Sequence, residues 1–181
     1  MNASPMRSQK NILITGFPGS GKTTLVIKLA NALKYLHPVG FYTSEIREGG
    51  LPQGFDLIGL DGTSARLSHV NIKSPYRVGR YGVDIKGFDA FLSSLALGNS
   101  DAGLFIVDEI GQMECYSEKF KELVREILTS DMPVIATIAL KGGGFINEVR
   151  KRNDIDIVEL TQANRDLLVA DVAGQVKALI R

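Results

Sequence analysis

Asn11-Ile-Leu-Ile-Thr15 runs directly into Gly16-Phe17-Pro18-Gly19-Ser20-Gly21-Lys22-Thr23-Thr24, and how this stretch is read decides the fold. Its first five residues are short, branched and apolar and end at a glycine turn, the form of a buried parallel strand. Beyond the turn, Leu25, Leu29, Leu33 and Leu36 recur at helical spacing, which predicts a helix over 23–36 that stops near Pro38. Strand, glycine loop and helix therefore follow in order. A loop at that place meets the positive end of the helix dipole, and its glycines let main-chain amides turn inward as a nest for an anion.

The side chains fit phosphate as the anion. Gly16 to Thr23 matches G-x-x-x-x-G-K-[ST] at every fixed position. Gly16, Phe17 and Pro18 enter the loop, and Gly19, Ser20 and Gly21 line the nest. Lys22 is the point charge that reaches the β- and γ-phosphates, and the Thr23 hydroxyl is a hard oxygen suited to Mg²⁺. Thr24 is expected on the α-phosphate.

A second segment supplies acids. Leu104-Phe-Ile-Val-Asp108-Glu109 is an apolar run ending in two carboxyls, as expected of a buried strand delivering acids to the carboxyl edge of a sheet. On this reading Asp108 holds the metal and Glu109 orients and deprotonates the attacking water, so Lys22, Asp108 and Glu109 form the catalytic set. Asp108-Glu-Ile-Gly111 also satisfies D-x-x-G, but the guanine-reading N-K-x-D has only Asn164-Arg165-Asp166-Leu167 as a counterpart. Asn164 and Arg165 are kept as candidate nucleotide contacts. Phosphoryl transfer also wants a cation at the γ-phosphate, for which Arg47, Arg77 and Arg80 are the candidates, and Thr137 is a candidate sensor of that phosphate. His37 and His69 have no partners at metal-ligand spacing.

The remainder of the chain fits an α/β architecture. Val39 to Thr43 reads as the return strand of a βαβ unit. Frequent glycines and the turn Asp61-Gly62 between Glu45 and Val83 predict an antiparallel β insert. Helices are expected over 84–97 and 117–128, strands over 133–137 and 155–158, a short basic helix between those strands, and a closing helix with Leu168, Val172, Val176 and Leu179 on its apolar stripe. The expected fold is three-layered, with a mostly parallel central sheet and the antiparallel insert. The 181 residues are read as a single domain, 1–181, with 1–10 a flexible tail.

Composition narrows the function. Hydrophobic residues are 44% and charged residues 23%, an ordinary folded-domain usage. With 21 Lys plus Arg against 20 Asp plus Glu, the net charge is +1, so no long-range field draws the chain to nucleic acid or membrane, and no specific nucleic-acid partner is expected. No apolar run approaches membrane length. The single Cys115 fits a reducing, cytoplasmic setting, and a monomer or weak oligomer is expected.

Beyond the loop and the acids, Gly40-Phe-Tyr-Thr-Ser-Glu-Ile-Arg47, Gly54-Phe-Asp56, Val78-Gly-Arg-Tyr-Gly-Val83, Val107-Asp-Glu-Ile-Gly-Gln-Met-Glu114 and Thr161-Gln-Ala-Asn-Arg165 fall in one order. In these segments, over nearly its full length, the chain resembles the thermophile-type, or cancer-related, nucleoside-triphosphatase family of P-loop NTPases. The resemblance implies a RecA-like or kinase-like fold and hydrolysis of nucleoside triphosphates to diphosphate and phosphate with little choice among bases, ATP and GTP included. Lys141-Gly-Gly-Gly144 departs from the basic, His-containing loop expected there. The alternative, a small-molecule or nucleotide kinase, would use the same cradle and metal and pass the γ-phosphate to an acceptor.

Overall fold

A computed structural model describes residues 9–95 and 97–180, so most of the expected tail lies outside the described residues. The chain runs β1 (Asn11–Thr15), α1 (Lys22–Ala32), β2 (Val39–Glu48), β3 (Leu51–Gly59), β4 (Ser64–His69), β5 (Arg77–Val78), β6 (Tyr81–Val83), α2 (Ile85–Ser94), β7 (Phe105–Ile110), α3 (Glu118–Thr129), β8 (Val134–Ile138), α4 (Gly144–Arg150), β9 (Ile155–Glu159) and α5 (Arg165–Leu179). These strands form one sheet in the order β5-β6-β4-β3-β2-β7-β8-β1-β9. From β2 to β9 every pairing is parallel, and β3, β4, β6 and β5 continue the sheet antiparallel.

Strand alternation sorts the core into two faces. Ile12 and Ile14 of β1, Ile106 of β7 and Ile135 of β8 turn toward α1 and α5, which bury Leu25, Val26 and Leu29, and Leu168, Val172 and Val176. Leu13, Phe105, Val107, Val134, Ala136 and Ile138 turn the other way, against α2, α3 and α4. On that second face Phe41 meets the rings of Phe88, Phe91 and Phe120 edge-on, with centroids 6.0, 5.6 and 6.3 Å away. Helices on both faces of the sheet complete the three layers.

Three differences from the expectation have physical causes. The first helix ends at Ala32 and a 3₁₀ turn covers Lys34–Leu36, because His37 adopts a left-handed conformation (φ 48°) ahead of Pro38. The return strand after α1 is not the neighbour of β1, since β7 and β8 lie between them; local patterning cannot specify which strands come home later. β2 also outruns its predicted end, because Ser44 to Glu48 find partners in β3 from Asp56 to Leu51.

Local capping fixes the helices that carry the second face. Asp84 accepts a hydrogen bond from the Gly87 amide at 3.0 Å, and fully buried Ser117 accepts one from the Phe120 amide at 3.0 Å. Ser117 also donates to Asp89 of α2, tying α2 to α3. Ser117→Ala is expected to cost about 1–2 kcal/mol, read as a lower urea midpoint with an unchanged denaturant slope.

Candidate active site

The cradle follows β1 at the carboxyl edge of the sheet. Gly19 (φ 76°) and Gly21 (φ 97°) hold left-handed conformations that a β-carbon would strain, which is why the loop needs glycine at both positions. The Ser20 amide closes a turn onto Phe17 O at 3.1 Å, and α1 starts at once, with the Leu25 amide bonding Gly21 O at 2.9 Å. Ser20 Oγ is buried with no hydrogen-bond partner among the described residues. Lys22 is only 11% exposed along its side chain, and its ammonium donates to Gly16 O at 3.1 Å and lies 3.6 Å from Glu109 Oε2.

β7 brings the acids to the same edge. A register shift between Val107 and Ile110 lifts Asp108 and Glu109 out of the β7–β8 ladder. Asp108 is 1% exposed, and its carboxyl accepts hydrogen bonds from three elements. Thr23 Oγ1 of α1 donates to Oδ2 at 2.7 Å, Thr137 Oγ1 of β8 donates to Oδ1 at 2.5 Å, and the Thr43 amide and hydroxyl of β2 reach Oδ2 at 3.4 Å.

Behind the pair stands a third acid. Glu114 is buried in the turn after β7, and a methyl at Gly111 would lie 2.8 Å from its Oε2 and 3.0 Å from Glu109 Oε1. The two carboxyls thus converge on the open side of Gly111. Burial, with Glu109 as the next cause, pushes the Glu114 carboxyl up to about 8. Glu109 itself is held above the usual carboxylate range, first by burial, with Lys22 pulling it back and Asp108 adding to the rise. Burial beside Glu114 pushes the Cys115 thiol up to about 12, so it is not a thiolate at neutral pH.

Some expected contacts are not brought here. Arg47 pairs with Glu45 at 2.6 Å and bonds Gly50 O at the β2–β3 turn. Arg77 bonds Arg80 O, and Arg80 bonds Pro52 O and covers the Tyr81 ring. All three guanidiniums make their hydrogen bonds within the insert. Thr137 is completely buried, and its hydroxyl donates to Asp108. Asn164 closes the turn after β9, accepting from the Thr161 amide and donating to Glu159 O, both at 2.8 Å. Arg165 does reach the cradle: with Lys28, Leu160 and Asp166 it borders a cleft of about 390 Å³ against Gly19, Gly21 and Thr24.

Sequence reasoning missed Thr43, Glu114 and Arg150. Arg150 lies beside Thr15. Only Glu114 carried a local signal, being an acid close behind a strand that already ends in two.

The NTPase family model matches residues 11–173. The chain belongs to the NTPase family. It is 44% identical over 167 residues to the nucleoside-triphosphatase THEP1 of Thermotoga maritima, covering 92% of this chain and 95% of the relative. It is 37% identical over 186 residues to the human cancer-related nucleoside-triphosphatase, covering 93% and 97%. Its fold is similar to the crystal structure of THEP1 from Aquifex aeolicus, with TM-score 0.78, 34% identity and coverage of 94% and 99%. The solution structure of the human cancer-related nucleoside triphosphatase is matched with TM-score 0.79, 34% identity and coverage of 93% and 97%. This NTPase is therefore a hydrolase on a P-loop α/β fold, and its relatives are named for nucleoside triphosphates as substrates. No helix among the described residues is long and apolar enough to cross a membrane.

The raised Glu114 carboxyl sets a pH dependence. The folded chain keeps a proton there that the unfolded chain releases near 4.5, so stability is fully present below that pH and is lost as pH rises toward about 8. Glu114→Gln removes this dependence, and its melting temperature at pH 8 is expected to exceed that of the parent by roughly 5 °C, with little difference at pH 4.5. Thermal melts of both chains across that range check the sign.

Proposed function

We propose that the chain is a single-domain, Mg²⁺-dependent nucleoside-triphosphate phosphohydrolase, converting NTP and water to NDP and phosphate, with broad base choice that includes ATP and GTP. The observation that carries this reading is the convergence of Lys22, Thr23, Asp108 and Glu109 at one edge of the sheet, with Thr23 bonded to Asp108 and Lys22 beside Glu109. The Gly19–Gly21 amides and the buried, unpartnered Ser20 hydroxyl suit phosphate oxygens.

The donor set fits Mg²⁺. No group of three or more His, Cys, Asp or Glu able to hold a metal occurs among the described residues, while a threonine hydroxyl beside one carboxyl suits an ion that keeps waters and phosphate oxygens as its other ligands. Thr23 and Asp108 would hold it, and it would neutralise charge on the β- and γ-phosphates. Lys22 exchanges its contact with Glu109 for the phosphates, which frees that carboxyl. Glu109, its proton affinity already raised by burial, then takes the proton of the attacking water. Asp108, gripped by Thr43 and Thr137, keeps its orientation throughout.

The cleft beside the cradle supports the reading of base tolerance. Its side walls offer Lys28, Leu160, Arg165 and Asp166, long or flexible groups in place of a guanine-reading pair. Cys115, with its thiol pushed far up, suits a reducing cytoplasm as an inert residue.

Phosphate release from ATP, GTP, CTP and UTP with Mg²⁺ and no acceptor tests the proposal. All four are expected as substrates, and Lys22→Ala is expected to abolish turnover. Glu109→Ala should keep nucleotide binding and lose about two or more powers of ten in kcat. Background release from every nucleotide, together with ATP consumption by an acceptor panel, would establish the kinase alternative instead.

A further inference from the structure

In the transition state of phosphoryl transfer the terminal oxygens carry charge that a P-loop lysine and a metal do not fully meet, and enzymes that work unaided add an arginine of their own. The three arginines expected for this role make their hydrogen bonds within the insert, whereas Arg150 makes its own beside the cradle. It is the last residue of α4 and half-buried, and its Nη1 donates to Ala139 O at 3.2 Å and approaches Thr15 Oγ1 at 3.5 Å.

Both neighbours locate the guanidinium. Thr15 ends β1 and immediately precedes Gly16, the first residue of the cradle. Ala139 follows the last residue of β8, the strand whose Thr137 grips Asp108. The group therefore rests at the carboxyl ends of the strand that feeds the cradle and of its neighbour on the Asp108 side. Acids are within reach of arginines nearby: Arg152 pairs with Asp154 at 2.5 Å and Arg125 with Glu148 at 2.8 Å. Arg150 takes part in no ion pair among the described residues, and its hydrogen bonds use Nη1 alone. A half-buried guanidinium without a carboxyl partner is met here only by two neutral oxygens, which leaves its charge unpaired until an anion arrives.

We propose that Arg150 is a catalytic residue that supplies the built-in cation for the terminal phosphate. Its uncommitted Nε and Nη2 hydrogens face the γ-phosphoryl oxygens once a triphosphate occupies the cradle. Water oxygen bonds to the γ-phosphorus as the β–γ bridging bond breaks, the water proton passes to Glu109, and NDP leaves with the bridging oxygen. Arg150 transfers no proton; it meets the charge that grows on the phosphoryl oxygens and falls again on release. No activating partner is needed. This inference rests on the hydrolase reading above.

The test compares the parent chain, Arg150→Ala and Arg150→Lys for Mg-ATP turnover, ADP affinity, and formation of the ADP–aluminium fluoride complex, which mimics the transferring phosphoryl group. Arg150→Ala is expected to lose at least about a hundredfold in kcat, to keep its ADP affinity and melting temperature, and to fail to trap aluminium fluoride. Added guanidinium ion restores part of the rate to Arg150→Ala and none to the parent. Arg150→Lys keeps stem and charge and folds, but loses about tenfold or more, because an ammonium cannot present the planar fork. Should either variant turn over at the parental rate, or should Arg150→Ala trap aluminium fluoride as the parent does, the assignment is overturned. If the parent chain itself releases no phosphate from any triphosphate, it is the hydrolase reading that fails.

Discussion

The carboxyl of Asp108, buried to 1% exposure, is the constraint on which the site and much of the sheet edge depend. A carboxyl so far from water requires donors, since leaving one unmet costs several kcal/mol. The donors come from three separate elements: Thr23 at the start of α1, Thr43 in β2 and Thr137 in β8. Each bond fixes its element to β7, and the 2.7 Å bond from Thr23 sets the register between the phosphate loop and the acid strand. One of these donors, the Thr23 hydroxyl, is proposed with Asp108 itself to hold magnesium, so stability and chemistry draw on one cluster.

Around that cluster the charge is unbalanced by design of the fold. Asp108, Glu109 and Glu114 crowd the carboxyl edge, with Lys22 as the cation in contact. The chain answers by keeping a proton on Glu114 and by raising Glu109 toward the range where it can accept one. A triphosphate brings further negative charge to the same place, and a chain of net charge +1 has no general field to offset it. Local cations must do so: the lysine, the metal and, on the inference drawn from its position, Arg150.

How much of this was legible in the sequence follows from the range of each interaction. The strand, loop and helix from Asn11 onward were readable because glycine conformation, helix dipole and lysine lie within a few residues of one another. The acids were readable as the end of an apolar strand. The sheet order was not, because nothing in Val39 to Thr43 says that β7 and β8 will separate it from β1. The enclosure of the Thr137 hydroxyl against Asp108 was not readable either, since only the fold brings β8 beside β7. Nor does the sequence set Arg47, Arg77 and Arg80 apart from Arg150, which lies 135 residues from Thr15 along the chain.

Crystals of the chain grown with a non-hydrolysable triphosphate and Mn²⁺ in place of Mg²⁺ give the most direct measurement, because the metal's anomalous signal locates it independently of the protein. The triphosphate is expected along the amides from Gly19 to Thr23, with the metal bonded to Thr23 Oγ1 and phosphate oxygens and with Asp108 beside it, still held by Thr137. A metal found elsewhere, or Asp108 turned away from an occupied cradle, would contradict that arrangement.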